Sequence, residues 1–278
     1  MQQQHPSSVN SQSTPVLVKM WEPVSLPFKN SSLPLPTLPT TDEIRSCSDI
    51  LWERCYDKIV AVNDKVVVKF GGSVNAWEGQ ALMYLEKHVP PSFGSATRIP
   101  GARLHSIWPS LTPSEKDDIV AKLRQMFDTM RQAECPWPNF FGGLDGGGVY
   151  HYLFYSQTKA LTERNGRPDY KVRLYETHLA SVLQDRRPTL THGDVHQKNI
   201  MVVENLNDQG GRSFDVVLVD WERAGWYPDF WEFFCAASLF DMCYWEEEWC
   251  WRVQQFLQVP LAELAIMRMV DKDLGWGR

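Results

Sequence analysis

Apolar positions along the chain switch between a period of about two and a period of about 3.6, and each switch marks an element. Residues 1–40 show neither period. They are rich in Gln, Ser, Thr and Pro, and such a composition buries too little apolar surface to offset its ordering entropy. They read as a flexible N-terminal arm, with an extended wrap over the fold as the alternative. Order begins near Thr41. "KIVAVNDKVVVKFGG" predicts a β-hairpin, Ile59 to Val62 and Val66 to Phe70 about a turn at Asn63-Asp64. "NAWEGQALMYLEKHV" then places Ala81, Leu82 and Leu85 at helical spacing. A second helix is better marked: Thr112 and Glu115 form a capping box, Pro113 sits at the first helical position, and Ile119, Leu123, Met126 and Met130 make the apolar stripe. Tyr175 to Leu183 reads as a short helix. Two strands follow, Ile200 to Val203 and Asp215 to Val219, joined by the polar turn "ENLNDQGGRS", and Trp-rich helical segments fill the rest. A β-rich part followed by a mostly helical part predicts an α+β protein of two lobes.

At 278 residues with 43% apolar positions, the chain can bury one large core or those of two small lobes. Its net charge of −6 argues against nucleic-acid binding. No apolar run approaches the ~18 residues that span a bilayer, and "MQQQHPSSVNSQSTP" lacks the basic start and apolar centre of an export signal. The six cysteines are widely spaced, without a C-x-x-C pair, and are expected to be reduced and largely buried. A cytoplasmic protein without membrane or nucleic-acid partners is expected; oligomeric state is not legible.

The stretch "LTHGDVHQKNIMVV" concentrates ligand-capable side chains ahead of a strand. A metal cage is one reading, since "GDVH" is similar to a loop of binuclear metallophosphoesterases. Such a site needs further histidines downstream, and none of the seven follows His196. Phosphoryl transfer needs a carboxylate to orient the attacking hydroxyl, an amide oxygen for one Mg²⁺, and a carboxylate for the metal bridging the phosphates. Asp194, Asn199 five residues on, and Asp220 at the end of "VVLVDWE" supply these in order. An aspartate ending a strand is often a turn former, so Asp220 gains meaning only with the H-G-D-x-x-x-x-N run. A phosphate-binding cation held by a carboxylate on the next helix is also required; Lys69 in "VVVKF" and Glu78 in "WEGQAL" fit. Alone, Lys69 reads as an exposed strand lysine and Glu78 as a first-turn helix charge.

These residues together resemble the aminoglycoside phosphotransferase family, in the fungal branch of protein-kinase-like small-molecule kinases. The likeness covers roughly residues 45 to 278. It is carried by "THGDVHQKNIMV" and "VDWERAGWYPDFWEF", with support from "VVVKFG", "IWPSLTPSEK" and "FGGLDGGGVYHYLFY". The resemblance implies a protein-kinase-like, two-lobed α+β fold over residues 41–278, with a small β-rich N-lobe (41–100) and a larger helical C-lobe (101–278). It implies an ATP-dependent phosphotransferase acting on a hydroxyl or amine of a small-molecule acceptor. Asp194 would be the catalytic base, Asn199 and Asp220 the Mg²⁺ ligands, Lys69 and Glu78 the ATP-binding pair, and His192 a brace of the catalytic loop.

One stretch departs from that pattern. Two further strands and an adenine-binding hinge need about 20 residues, whereas only Pro91 to Pro100, rich in Pro, Gly and Ser, separates the Glu78 helix from "GARL". A shortened N-lobe is therefore expected. It carries an alternative function, a kinase-like binding module with impaired ATP binding, from a pseudokinase or truncated gene product. "GGLDGGG" lacks the G-K-[ST] ending of a phosphate loop and reads as a loop needing unusual backbone angles. "YWEEEWCW" reads as a helix with a solvated acidic face and an aromatic packing face, ahead of a patch for a cationic substrate. Trp226, Trp231 and Phe233 are expected in the core.

Overall fold

Three antiparallel sheets of three strands each, surrounded by helices, make up the described part of the computed structural model. It describes residues 37–89, 99–149, 184–238 and 247–274, except Cys55, Ser73, Asn75, Ala76, Pro138, Asp145, Asp208 and Gln209, together with Tyr170, 173–175 and 177–179. The arm to residue 36, the hinge segment 90–98, the aromatic run after Val149, part of the helix expected over Tyr175 to Leu183, and Glu246 lie outside the described residues.

The first sheet joins β1 (Ile50–Arg54), β2 (Asp57–Ala61) and β3 (Val67–Phe70) in that order, after a short capped helix, α1 (Thr41–Ser46). The predicted hairpin is β2–β3, with Ile59 opposite Lys69 and Val60 opposite Val68. Its turn forms because the Asn63 side-chain oxygen accepts the Lys65 and Val66 amides at 2.9 and 3.0 Å, the local bonding that makes Asn a turn residue. β1 was not foreseen. Four of its five residues are exposed, so an edge strand with no buried face left no alternating signature. Helix α2 (Trp77–His88) follows and buries Gln80, Ala81, Tyr84 and Leu85, whereas Leu82 is only partly covered.

The second sheet pairs β4 (Ala102–Arg103) with β7 (Ile200–Leu206), which pairs with β8 (Arg212–Leu218). The β7–β8 hairpin extends beyond expectation through Glu204–Leu206 and Arg212–Phe214. Its outer rungs need no apolar face: Arg212 bonds both carboxylate oxygens of Glu204 at 2.8 and 3.1 Å and reaches Glu115 at 3.2 Å. A short helix α3 (Leu104–Ile107) and a 3-10 turn (Trp108–Ser110) lead into α4 (Pro113–Met130), whose Thr112–Glu115 capping box forms in both directions. The predicted stripe is buried, joined by Val120 and Phe127. The third sheet sets β9 (Gly225–Pro228) between β5 (Gly142–Gly143) and β6 (Pro188–Thr191). Two glycines fit there because bulk cannot: a Cβ on Gly225 would lie 2.5 Å from the Gly142 carbonyl oxygen.

Helices α5 (Trp231–Ser238), α6 (Glu247–Phe256) and α7 (Leu261–Leu274) complete the larger part. Trp226, Trp231 and Phe233 are buried, as expected. The face of α6 departs from expectation. Trp249 packs edge-on to Trp108, but Trp251 is 64% exposed. Glu248 is not simply solvated, since it bonds Lys116 of α4 at 2.7 Å and pairs with Arg252. Among the described cysteines only Cys235 is buried; Cys47, Cys135 and Cys250 are half-covered free thiols. No described helix is long and apolar enough to cross a membrane.

The core runs continuously from α2 through α4 to α6. Leu123, fully buried on α4, tests that continuity: Leu123→Ala is expected to cost about 3 kcal/mol in urea unfolding, the sum of lost transfer energy and a residual cavity.

Candidate active site

Strand β3 carries Lys69 to where three other segments meet. Its ammonium lies 2.9 Å from Glu78 Oε2 on α2, 2.8 Å from Asp220 Oδ1 and 3.2 Å from Glu222 Oε2. All four side chains are between a fifth and about a third exposed, so the cluster is open to solvent rather than sealed in the core. Burial by itself would lower the Lys69 pKa, but the bond and charge of Asp220, then those of Glu78, raise it above the ordinary value. Lys69 is therefore a fixed cation. Burial pushes Glu78 up, against the pull of Lys69. One cation among three carboxylates leaves an excess of negative charge. Oxygens of Glu78, Asp220 and Glu222 all lie within 4.8 Å of one another, and hard oxygen donors so gathered suit Mg²⁺.

Asp220 reaches this point through an uncommon backbone. It adopts φ +70° and ψ +61°, a left-handed conformation that aspartate tolerates better than most side chains. Strand β8 ends at Leu218, one residue short of the expected Val219, and after Asp220 the chain turns into the 3-10 segment Trp221–Arg223.

The second loop, His192 to Asn199, is held from three sides. The His192 Nδ1 accepts the Asp194 amide at 3.2 Å, so the ring proton sits on Nε2 and donates to the Val219 carbonyl at 3.0 Å. Burial lowers the His192 pKa, which keeps this neutral tautomer. The ring lies against Trp221, 4.5 Å between centroids. Below, the Glu232 carboxylate on α5 accepts the backbone N–H groups of His192 at 2.6 Å and Gly193 at 3.0 Å. At the far end, Asn199 donates from Nδ2 to the Asp194 carbonyl at 3.0 Å and to its Oδ2 at 3.2 Å. The Asn199 carbonyl also accepts the Val219 amide, tying this loop to the strand that ends in Asp220. The predicted aim of Asp194 and Asn199 at a shared point is what the hydrogen bonds produce. His196 and Arg223 flank Asp194, each with a nitrogen 3.8 Å from one of its carboxylate oxygens.

A family model described as APH, the phosphotransferase enzyme family, matches residues 79–255. The chain belongs to this family. Its fold is protein-kinase-like and α+β, similar to two solved structures. The streptomycin–ATP–APH(2'')-IIa ternary complex is 15% identical, with 86% of this chain and 88% of that one covered and a TM-score of 0.52. ADP-bound aminoglycoside phosphotransferase APH(2'')-Ib is 18% identical, with 81% of each chain covered and a TM-score of 0.51. Among curated proteins no match is found.

In this phosphotransferase-family chain all six residues singled out in the sequence fall in two linked groups. Lys69, Glu78 and Asp220 form one; His192, Asp194 and Asn199 form the other. The sequence reading missed Glu222, whose carboxylate joins the first group, and Glu232, which supports the second. Glu232 did carry a signal. It is the one charge in the apolar helix WEFFCAAS, and a buried charge needs partners.

Burial pushes the Glu232 carboxyl up to about 7, while the His192 and Gly193 amides pull it down. An unperturbed glutamate ionises near 4.5, so between these values the folded protein keeps a proton that the unfolded chain has released. The associated stability is fully present below the unfolded value and is lost as pH rises through about 7. His192, shifted downward, has the opposite slope, so the comparison must isolate Glu232. Between about pH 5 and about pH 8, the urea midpoint of wild type is expected to fall relative to that of Glu232→Gln; parallel curves would remove this account.

Proposed function

We propose that the chain is an ATP-dependent phosphotransferase acting on a hydroxyl or amine of a small molecule. Membership of the phosphotransferase family supports the reaction class. The observation that carries the reading is the Lys69 ammonium, within 2.9 Å of both the helix carboxylate Glu78 and the strand-end carboxylate Asp220. One of the two similar structures is an ATP ternary complex and the other is ADP-bound, which supports a nucleotide here.

Each residue then has a distinct task. Asp194 orients the acceptor hydroxyl and takes its proton, its rotamer fixed by the Asn199 amide. Lys69 offsets phosphate charge, and Glu78 keeps it from swinging away. His192 braces the loop through its two hydrogen bonds. Asn199 turns its amide nitrogen to Asp194; its amide oxygen, together with Asp220, would hold Mg²⁺. Mg²⁺, when bound, would neutralise charge developing on the transferred phosphoryl group.

A second reading rests on the short connection from α2 to β4, residues 89–101: a kinase-like binding module with weak nucleotide affinity. Calorimetry with Mg-ATP separates the two, since a micromolar Kd would sink the second. For the first, Asp194→Ala is expected to lower ADP release in the presence of acceptor by about 10² to 10⁴-fold with an unchanged melting temperature. Equal turnover in the two proteins would defeat the mechanism.

A further inference from the structure

The acceptor side of the site carries a cation that phosphoryl transfer does not use. Arg223 ends the 3-10 turn after Asp220, and its Nη1 lies 3.8 Å from Asp194 Oδ1, beyond hydrogen-bond reach. Its side chain is 49% exposed, while that of Asp194 is 17% exposed. Among the described residues the Arg223 guanidinium donates no hydrogen bond; its contact with Asp194 is purely a charge contact. The approach is built in by Gly193, at φ +80°: a Cβ there would lie 2.9 Å from the Arg223 carbonyl oxygen and 3.2 Å from its Cβ. Any larger residue at 193 would push the two loops apart.

Resting on the phosphotransferase reading, we infer that Arg223 selects the acceptor, and that the acceptor is a hydroxyl compound bearing a carboxylate or phosphate close to the reacting oxygen. A guanidinium presents planar, paired donors that match a carboxylate or phosphate edge. With one charge beside Asp194 and the remaining donors open, Arg223 can bridge the aspartate and an anionic substituent. Without it, such an acceptor would meet the Asp194 carboxylate as like charge against like charge. An ammonium at the same place would meet a fixed cation at close range instead, so the arrangement disfavours amino-sugar acceptors.

D-glycerate, glycerol and ethanolamine form a matched set of small hydroxyl compounds that are anionic, neutral and cationic. Their binding to the nucleotide-free protein is followed by ligand-observed NMR, and their turnover by ADP release. Glycerate is expected to bind most tightly, and Arg223→Gln to weaken it about tenfold while changing glycerol about twofold or less. Should glycerate bind no better than glycerol, or should Arg223→Gln weaken both alike, Arg223 is only a counter-ion to Asp194 and the inference is overturned. The binding series needs no transfer step. An Arg223-dependent preference for glycerate without ADP release for any of the three compounds would therefore count against the phosphotransferase reading and leave Arg223 as an anion-binding residue.

Discussion

A neutral, buried imidazole links the two halves of the candidate site. His192 accepts from the Asp194 amide on one nitrogen and donates to the Val219 carbonyl on the other, so it spans from the His192–Asn199 loop to the residue before Asp220. Neither bond survives a change of tautomer, and protonation would remove the first. Burial enforces the arrangement by making the charged ring costly. Beneath it, Glu232 satisfies two backbone donors that would otherwise be orphaned in the interior. A fully connected polar network of this kind is rigid because every alternative leaves a buried group unpaired.

The other half is held by charge rather than by burial. Lys69 on the small sheet reaches Glu78 on α2 and both Asp220 and Glu222 at the β8 end. That one ammonium therefore ties the N-terminal sheet and helix to the larger part of the molecule. Exposed pairs contribute little to stability, but four partly covered charged groups brought to one point set a strong local field there. The surplus of carboxylates makes the site receptive to a cation, and the fixed ammonium makes it receptive to an anion. A metal–nucleotide complex presents both at once.

With 15% and 18% identity to the two solved structures, this family member keeps the fold while most side chains differ. Fold likeness leaves substrate identity open. In the reading proposed above, acceptor choice would fall to side chains such as Arg223, whose side chain is 49% exposed beside Asp194.

Helices α2 and α4 and the β2–β3 hairpin were legible because each carries its signal locally. The Thr112–Glu115 box, the stripe from Ile119 to Met130 and the Asn63 turn all act within a few residues of the chain. The spacing of Asp194 and Asn199 in one loop was equally readable, since a loop can deliver what lies five positions apart. What crosses the sequence could not be read from it. The exposed edge strand β1 buries no face, and the outer rungs of the β7–β8 hairpin are joined by a charged pair rather than by apolar alternation. Glu222 and Glu232 acquire meaning only when folding brings them to Lys69, 153 positions away, and to His192, 40 positions away. The sequence by itself determined helices α2 and α4, the β2–β3 hairpin and the chemical types at the site, because propensity and spacing are local. Tertiary structure alone decided which charges meet at Lys69 and which amides need a buried carboxylate, because those energies depend on distance in space and on exclusion of water.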